Sequence, residues 1–202
     1  MINMPERIIL ASGSPIRRQL LENAGLTFDV EIARLDEDLI KTSLIAEGVY
    51  PRDIADALAE GKARKISLKH PDAMVIGCDQ VISFKGQLIS KSTSSDDAKR
   101  LLEQLQGERH RLLSAVVIYE GGEPKWRHIG EVKMTMRGLS AQYLSEYIDR
   151  NWHSVCDAVG CYKLEEEGVR LFSSIEGDYF NVLGLPLIPL LTYLTDRKII
   201  AI

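Results

Sequence analysis

The sequence predicts an α/β fold with a mixed, bent central sheet, flanked by helices that form a two-lobed cleft. Short apolar runs typical of buried strands alternate along the chain with segments of helical periodicity. Two of the runs, 112–119 and 130–136, are joined through Gly121-Gly122 and predict an antiparallel hairpin, which a purely parallel sheet would not contain. Because the 202 residues show no repeat or linker, we predict a single domain over 1–202.

The first predicted strand, 8–11, leads directly into a helix. Ser14 stands at the N-cap position and Pro15 at the first helical position, and the helix is expected to end near Gly25. The next predicted elements are a strand at 28–32, an acidic loop at Asp36-Glu37-Asp38 and a long helix over 51–69.

An interrupted strand is predicted near the middle of the chain. Apolar runs at 74–76 and 81–84 flank Gly77-Cys78-Asp79-Gln80, which we interpret as a bend. The elements predicted after it are a turn at Lys85-Gly86, a helix capped by Ser94 or Ser95 and ending near 106, the hairpin, a helix from Ser140 to about 150, a strand-like segment over 162–185 and a final helix from about Leu187.

The charge balance limits the class of partner. With 25 Lys+Arg against 29 Asp+Glu the net charge is −4, which argues against binding to a nucleic-acid polymer but leaves room for a small phosphorylated ligand. The longest apolar run, 182–194, is broken by glycine and proline and is too short to span a bilayer. We therefore expect a cytoplasmic protein without a membrane span or signal peptide.

Cysteine and histidine give no sign of a zinc site or a disulfide framework. Cys78, Cys156 and Cys161 are odd in number and match no known spacing, so we predict reduced, structural thiols. No two histidines stand at metal-ligand spacing on a helix face. We interpret His110 and His153 as surface or hydrogen-bonded groups, because no nucleophile motif accompanies them.

The junction between the first strand and helix carries the strongest sign of a ligand site. Free backbone N–H groups, the positive helix end, the hydroxyls of Ser12 and Ser14 and the guanidinium of Arg17 together suit a phosphate chain. A serine cap beside a solvated arginine explains the same residues equally well. The glycine spacing is neither that of a P-loop nor that of a dinucleotide-binding fold.

Two carboxylates and two lysines are the other candidates. Asp79, in the predicted bend, is a candidate general base or metal ligand, and Glu37 offers a second carboxylate. Lys62 and Lys91 could supply positive charge to phosphates. Each residue also has an ordinary interpretation as a turn, loop or surface residue, so the residues alone leave the function open.

Five motifs follow one another along the chain: Leu10–Pro15 with Arg17, Gly61-Lys62-Ala63, Gly77-Cys78-Asp79-Gln80, Lys91, and Gly177 with Asn181–Leu187. Together they resemble the Maf family of nucleotide pyrophosphatases, over about 8–191. The resemblance implies an inosine-triphosphatase-like fold, often dimeric. It also implies hydrolysis of a nucleoside triphosphate to monophosphate and pyrophosphate with a divalent metal cation, Mg²⁺ or Mn²⁺.

The resemblance also implies roles for the candidate residues. Asp79 would be the proton acceptor that readies water, and Glu37 and Asp79 would hold the metal. The residues expected to hold the phosphates are Ser12, Ser14, Arg17, Lys62 and Lys91.

Three positions resemble the branch of the family that acts on 7-methyl-GTP rather than the branch that acts on dTTP and UTP. They are Ile16, Gln80 and Glu165. Glu165 can accept from the N1 and N2 donors of guanine, and apolar Ile16 can tolerate the methyl group at N7. The 7-methyl-GTP branch has tryptophan where this chain has Ile16, and Ser90-Lys91-Ser92 replaces the common Gly-Lys-Pro.

Three other functions remain open from the sequence. One is a dTTP/UTP pyrophosphatase, and another is a regulator of septum formation that senses a nucleotide without hydrolysing it. The third is a small-molecule phosphatase on a similar fold, which would release orthophosphate.

Overall fold

In the computed structural model, which describes residues 7–201, strands and helices alternate around one mixed sheet. The strands are β1 (Arg7–Leu10), β2 (Asp29–Val30), β3 (Ala73–Phe84), β4 (Gln87–Ile89), β5 (Arg109–Glu120), β6 (Glu123–Met136) and β7 (Phe172–Glu176). The helices are α1 (Pro15–Asn23), α2 (Glu37–Ala46), α3 (Pro51–Ser67), α4 (Ser95–Leu105), α5 (Ala141–Val155), α6 (Tyr179–Val182) and α7 (Leu187–Asp196), with a 3₁₀ turn at Glu167–Leu171.

The sheet combines parallel and antiparallel pairing. Its order over the described residues is β2-β1-β3-β5-β6-β7, and β4 pairs with β3 beside this path. β1 runs parallel to β2 and β3, and every later pair is antiparallel. The predicted mixed sheet with flanking helices and the hairpin, here β5–β6, are therefore confirmed.

One edge of β3 is shared between two short strands. β5 pairs with β3 along 74–83, whereas on the opposite edge β1 pairs with 73–76 and β4 with 82–84. Within the described part of the chain, 77–81 therefore has no strand partner on that edge. This opening lies beside the start of α1, since α1 follows β1.

The predicted bend at Gly77–Gln80 is wrong, because β3 is continuous. These four residues pair in register with Val117 to Ser114 of β5. Glycine and aspartate disfavour strands, but pairing with a long neighbour outweighs the local preference. Asp79 consequently lies in the middle of a buried strand rather than in an exposed turn.

The predicted acidic loop at 36–38 is also wrong, because it starts α2. Asp36 caps the helix, its Oδ1 accepting from the backbone N–H of Leu39 at 3.0 Å. Glu37 and Asp38 fill the first turn, where negative charge is favourable near the positive end of the helix. The acidic run is therefore a helix start, and it brings Glu37 into a fixed place.

Prediction was uneven in the remaining elements. Ser14 and Pro15 begin α1 as predicted, Ser94 and Ser140 cap α4 and α5, and α7 begins at Leu187. The strand-like segment predicted at 162–185 is mostly wrong, since only β7 is a strand there.

No helix within 7–201 combines the length and apolar character needed to cross a bilayer.

α3 packs so closely on β3 that Gly77 has no room for a side chain. A Cβ at Gly77 would lie 2.2 Å from the carbonyl oxygen of Ala59 and 2.7 Å from the backbone nitrogen of Ala63. Lys62 lies on this turn of α3, and Asp79 lies two residues along β3. The contact at Gly77 therefore sets how closely these two side chains approach.

A Gly77→Ala substitution is expected to destabilise the fold by about 1–3 kcal/mol, because helix and strand must separate to admit the methyl group. Gly138→Ala is the matched control, since a Cβ there would have no neighbour within 4 Å. Denaturant unfolding of both variants tests this. Equal stabilities would show that the contact is not tight.

Candidate active site

Two cavities meet beside the open edge of β3. The first has a volume of about 620 Å³ and the second about 1360 Å³. Four residues line both: Arg17, Gln80, Asp157 and Val159. The cavities are therefore adjoining parts of one cleft, in which Ser14 lines the first and Asp79 the second.

Adjacent residues of β3 serve opposite faces of the sheet. Side chains alternate along a strand, so Asp79 and Gln80 point to different faces. Asp79 meets Lys62 of α3, whereas Gln80 reaches the carbonyl oxygen of Asn181 in α6. One short stretch of strand thus supplies two different kinds of polar group to the cleft.

Arg17 ties together three segments at the mouth of the cleft. Its Nε donates to the carbonyl oxygen of Gly184 at 2.8 Å, and its Nη1 donates to Ser12 Oγ and to the carbonyl oxygen of Cys78, both at 3.2 Å. Cys78 lies in the stretch of β3 that has no strand partner on the edge away from β5 within residues 7–201, so the guanidinium satisfies a backbone acceptor on that edge. The predicted contact of Arg17 with phosphate stays a prediction.

The two serines before α1 differ in exposure and contacts. Ser12 is buried, and its Oγ accepts from the backbone N–H of Ser14 at 3.3 Å as well as from Arg17. The Ser14 side chain makes no cap bond to the helix and lines the first cavity. The Ser14 hydroxyl and the first turn of α1 therefore remain available to a ligand.

Lys62 binds both candidate carboxylates. Its Nζ lies 2.7 Å from Asp79 Oδ1 and 2.8 Å from Glu37 Oε1. The side chains of Lys62 and Asp79 are only 10% and 7% exposed, against 34% for Glu37. The three residues therefore form a largely buried ion cluster, and the ordinary interpretations of a surface lysine, a turn aspartate and a solvated loop glutamate are wrong.

The two carboxylates respond differently to this cluster. Burial raises the pKa of Asp79 above its ordinary value, although the charges of Lys62 and Arg17 oppose the rise. Burial also acts to raise the pKa of Glu37, but the hydrogen bond and charge of Lys62 outweigh it, and that pKa is lowered. Asp79 is the more deeply buried of the two, which makes it the more basic carboxylate.

Glu37 and Asp79 fit a divalent cation whose remaining ligands are waters and substrate phosphates. Asp79 Oδ2 is buried without a hydrogen-bond partner. Residues 7–201 contain no group of three or more His, Cys, Asp or Glu side chains arranged to hold a metal. Mg²⁺ needs no such group, because one or two carboxylates with waters and substrate phosphates are its usual ligands.

Lys91 lines the second cavity, as Glu37 and Asp79 do, and lies on the segment after β4. Its Nζ lies 3.0 Å from Asp157 Oδ1, and the two side chains are 49% and 89% exposed. Exposed pairs of this kind contribute about 0–1 kcal/mol. Lys91 can therefore leave Asp157 for a phosphate at little cost.

The three positions predicted to govern specificity lie together. Ile16, Gln80 and Glu165 all line the first cavity, with Tyr162 and Leu164 as buried apolar neighbours. Glu165 is exposed. The cavity therefore combines apolar walls with an amide and a carboxylate.

Some residues of the cleft carried no sequence signal. The loop 157–160 lines both cavities in part, and no periodicity or motif marks it. Ser114 is fully buried beside Gln80, yet in the sequence it is one serine within an apolar run. Both become apparent only when the strands are paired.

His110 and Cys78 are buried and have structural roles. Of the two interpretations of His110, a surface group or a hydrogen-bonded group, the second is confirmed: its Nε2 lies 2.7 Å from the Tyr162 hydroxyl. Burial lowers the pKa of His110 to about 4. Burial raises the pKa of Cys78 to about 11, so its thiol stays protonated. Cys156 and Cys161 are also free thiols.

Comparison with known proteins gives consistent matches over nearly the whole chain. The family model described as Maf-like protein matches residues 7–197. A nucleoside triphosphate pyrophosphatase of Ruegeria pomeroyi is 61% identical over 193 residues, covering 96% of this chain and 97% of that protein. One of Caulobacter vibrioides is 49% identical over 187 residues, covering 93% and 94%.

More distant matches carry narrower names. A 7-methyl-GTP pyrophosphatase of Brucella abortus is 42% identical over 197 residues, covering 98% of this chain and 99% of that protein. A solved nucleoside-triphosphatase, a dITP/XTP pyrophosphatase from Mycobacterium abscessus, aligns with a TM-score of 0.42 and 14% identity, covering 96% and 95% of the two chains.

Proposed function

The chain belongs to the family of Maf-like proteins, and on that premise we propose that it is a nucleoside triphosphate pyrophosphatase. The observation that carries the proposal is the pair of adjoining cavities. The first offers apolar walls to a nucleoside, and the second holds the cations and carboxylates that a triphosphate requires. Relatives named for this activity support it.

The proposed substrate is 7-methyl-GTP. Ile16, Gln80 and Glu165 line one cavity, and relatives at 42% identity carry the name 7-methyl-GTP pyrophosphatase. Methylation leaves the guanine base cationic, and the carboxylate of Glu165, which lines this cavity, suits such a base. Hydrolysis of dTTP or UTP is the alternative, and a pyrimidine lacks the paired N1 and N2 donors of guanine.

In the proposed reaction, water attacks the α-phosphorus and the bond from this phosphorus to the bridging oxygen breaks, releasing pyrophosphate. Asp79 takes the proton from water at Oδ2, the oxygen without a partner, while Lys62 holds Oδ1. A raised pKa suits this role, since a base works best with a pKa near the working pH.

The phosphates are held by cations and hydroxyls from both sides of the cleft. Ser14 and Arg17 line the cleft at the start of α1, and Lys91 lines the second cavity. Ser12 is buried and supports Arg17 through the hydrogen bond to its Oγ. Lys62 contributes its charge while keeping Asp79 in place. A divalent cation, Mg²⁺ or Mn²⁺, held by Glu37 and Asp79 supplies further positive charge to the phosphates when bound.

The product released from each nucleotide of a panel, pyrophosphate or orthophosphate, tests the function. With Mg²⁺ or Mn²⁺, we expect pyrophosphate from 7-methyl-GTP, GTP, UTP and dTTP, fastest from 7-methyl-GTP. Orthophosphate as the product would indicate a different phosphatase. Binding without any product would indicate a nucleotide sensor.

Two substitutions in the first cavity test the substrate. Glu165→Gln combined with Gln80→Thr is expected to lower the ratio of 7-methyl-GTP to UTP hydrolysis by about tenfold or more, because the donors of the base lose the charged acceptor at position 165. Glu166→Gln is the matched control, since Glu166 bonds to Ser154 and Lys163 and does not line the cavity. An unchanged ratio in the double variant would contradict the substrate assignment.

The cytoplasmic location, the homodimer, the single-domain organisation and the absence of a nucleic-acid partner stay predictions.

A further inference from the structure

The second cavity is larger than the proposed reaction requires. Its volume is about 1360 Å³, against about 620 Å³ for the first cavity. Pockets that enclose a whole drug-sized ligand usually measure about 300–1,000 Å³. The first cavity is therefore large enough for a nucleoside, whereas the second, which would hold the leaving pyrophosphate, has room for a further group.

Part of the wall of the second cavity is apolar. The apolar side chains that line it include Ile45 of α2, Leu88 and Ile89 of β4 and Trp152 of α5. Ile45 is 50% exposed, and the other three are partly exposed. A phosphate chain binds through cations, hydroxyls and N–H groups, so the proposed reaction makes no use of these four side chains. Apolar surface left open inside a cleft is typical of a ligand-binding groove.

Trp152 offers the cavity a flat aromatic ring close to its junction with the first cavity. The side chain packs against buried residues of the core, which hold the ring in place. The backbone N–H of Cys156 donates to the carbonyl oxygen of Trp152 at 3.0 Å, so the two residues lie one helical turn apart, about 6 Å along the axis. Asp157, the next residue, lines both cavities, whereas Trp152 lines the second alone.

Positive charge lines the same cavity. Arg34 and Lys91 are both exposed, and they lie on separate segments, before α2 and after β4. An occupant that suits both these charges and the apolar wall carries phosphates together with a flat group that can stack. A nucleoside joined to the phosphate chain has both properties.

We propose that the second cavity accepts a second nucleoside joined to the terminal phosphate, so that dinucleoside triphosphates bind across both cavities and are hydrolysed there. The inference rests on the proposed function, because it uses the same reaction at the same phosphorus. The base of the second nucleoside stacks on Trp152, since every base has a flat face that an aromatic side chain can cover.

The reaction differs from the proposed one only in its leaving group. The water oxygen bonds to the phosphorus next to the nucleoside in the first cavity, and a proton of the water passes to Asp79. The bond from this phosphorus to the bridging oxygen breaks, and the bridging oxygen leaves on the second nucleotide. The products are a nucleoside monophosphate and a nucleoside diphosphate, and no pyrophosphate is released.

The test substrate is the dinucleoside triphosphate with 7-methylguanosine at both ends, because attack from either end then gives the same products. With Mg²⁺ or Mn²⁺ we expect 7-methyl-GMP and 7-methyl-GDP in equal amounts, separated by anion-exchange chromatography. Stacking of one more base is expected to make its KM about tenfold lower than that of 7-methyl-GTP. If the protein hydrolyses 7-methyl-GTP but leaves the dinucleotide intact, or shows no lower KM for it, the inference is overturned and the proposed function stands.

Substitutions at Trp152 test the stacking. Trp152→Leu keeps an apolar side chain against the core but removes the flat ring, and is expected to lower kcat/KM for the dinucleotide about tenfold relative to kcat/KM for 7-methyl-GTP. Trp152→Phe keeps a ring and should retain most of the wild-type ratio. Tyr50→Ala is the matched control, since Tyr50 is an aromatic residue, 75% exposed, that lines neither cavity.

A wild-type ratio in the Trp152→Leu variant, or an equal fall in the Tyr50→Ala variant, would contradict the assignment of Trp152. Melting temperatures identify any variant that fails to fold. The comparison of the two KM values in the wild-type protein decides the inference even if the Trp152→Leu variant is one of them.

Binding to the Asp79→Asn variant separates the inference from the proposed hydrolysis, because binding needs no turnover. Its Kd for the dinucleotide is expected to be about tenfold below its Kd for 7-methyl-GTP. Suppose that this difference disappears when Trp152→Leu is added, while the wild-type protein releases no product from either nucleotide. That result would support the second nucleoside site and overturn hydrolysis, and with it the proposed function.

Discussion

An Asp79→Asn variant is expected to lose about 10² to 10⁴ in kcat, the usual contribution of a general base. Asparagine keeps the shape of the side chain and an oxygen for Lys62, but it cannot take a proton from water. The fold should persist, because Lys62 keeps Glu37 at 2.8 Å. Far-ultraviolet circular dichroism and nucleotide binding would check that it does.

The pH profile gives an independent measurement of the same role. Burial raises the pKa of Asp79 above 3.8, so wild-type kcat/KM is expected to rise with pH through an inflection above that value. The Asn variant should lack this inflection. Asp149→Asn is the matched control, since Asp149 pairs with Lys99 on the surface. Near wild-type turnover in the Asp79→Asn variant would reject Asp79 as the base.

Replacing Lys62 with methionine is expected to cost about 3–5 kcal/mol of unfolding free energy, the usual effect of removing one partner of a buried ion pair. The Asp79 carboxylate would then lie buried without a cation within contact distance. Its folded pKa would rise further, so the loss should be smallest below the ordinary pKa of aspartate. It should grow as the pH rises toward the folded value, because only the folded state then resists ionisation.

Denaturant unfolding at several pH values measures this loss. Adding Asp79→Asn to Lys62→Met is expected to recover most of the lost stability, because no buried charge remains at position 79. Lys41→Met is the control: Lys41 also meets Glu37, but at 3.7 Å and with 29% of its side chain exposed against 10% for Lys62, so its loss is expected to cost less. If the Lys62 and Lys41 variants were equally stable, the buried cluster would not have the importance assigned to it.

Helix starts were predicted well because their cause is local. Ser14 with Pro15, Ser94 and Ser140 all begin helices where the sequence places them. A cap depends on a few neighbouring backbone groups, so a short stretch of sequence is enough to identify it. The paired glycines of the β5–β6 hairpin are predictable for the same reason.

The middle of β3 and the start of α2 were not predictable in this way. Asp79 lies in a strand only because β5 pairs alongside it. Glu37 lies in α2, and the apolar residues of this helix do not form the buried stripe by which an amphipathic helix is recognised. Local preference pointed to a turn and a loop, and distant contacts decided otherwise. The errors therefore fall on two of the residues that form the ion cluster.

The candidate site was predictable as a set of residues but not as an arrangement. The resemblance implied that Asp79 and Lys62 belong to one site, yet their contact joins positions 17 apart through the packing of α3 on Gly77. Ser114 was not predicted as part of the site, because a serine in an apolar run has no distinguishing pattern. Its contact with Gln80 depends on the register between β3 and β5.

The stretch 77–81, which within residues 7–201 has a strand partner on one edge only, links ligand binding to the stability of the fold. Across these residues the N-terminal and central parts of the sheet are joined by Arg17 rather than by a continuous ladder. A ligand bound beside this stretch would contact residues of both α1 and α2 and would therefore link the two helices. A ligand that binds the folded protein here is therefore expected to raise the temperature of thermal unfolding.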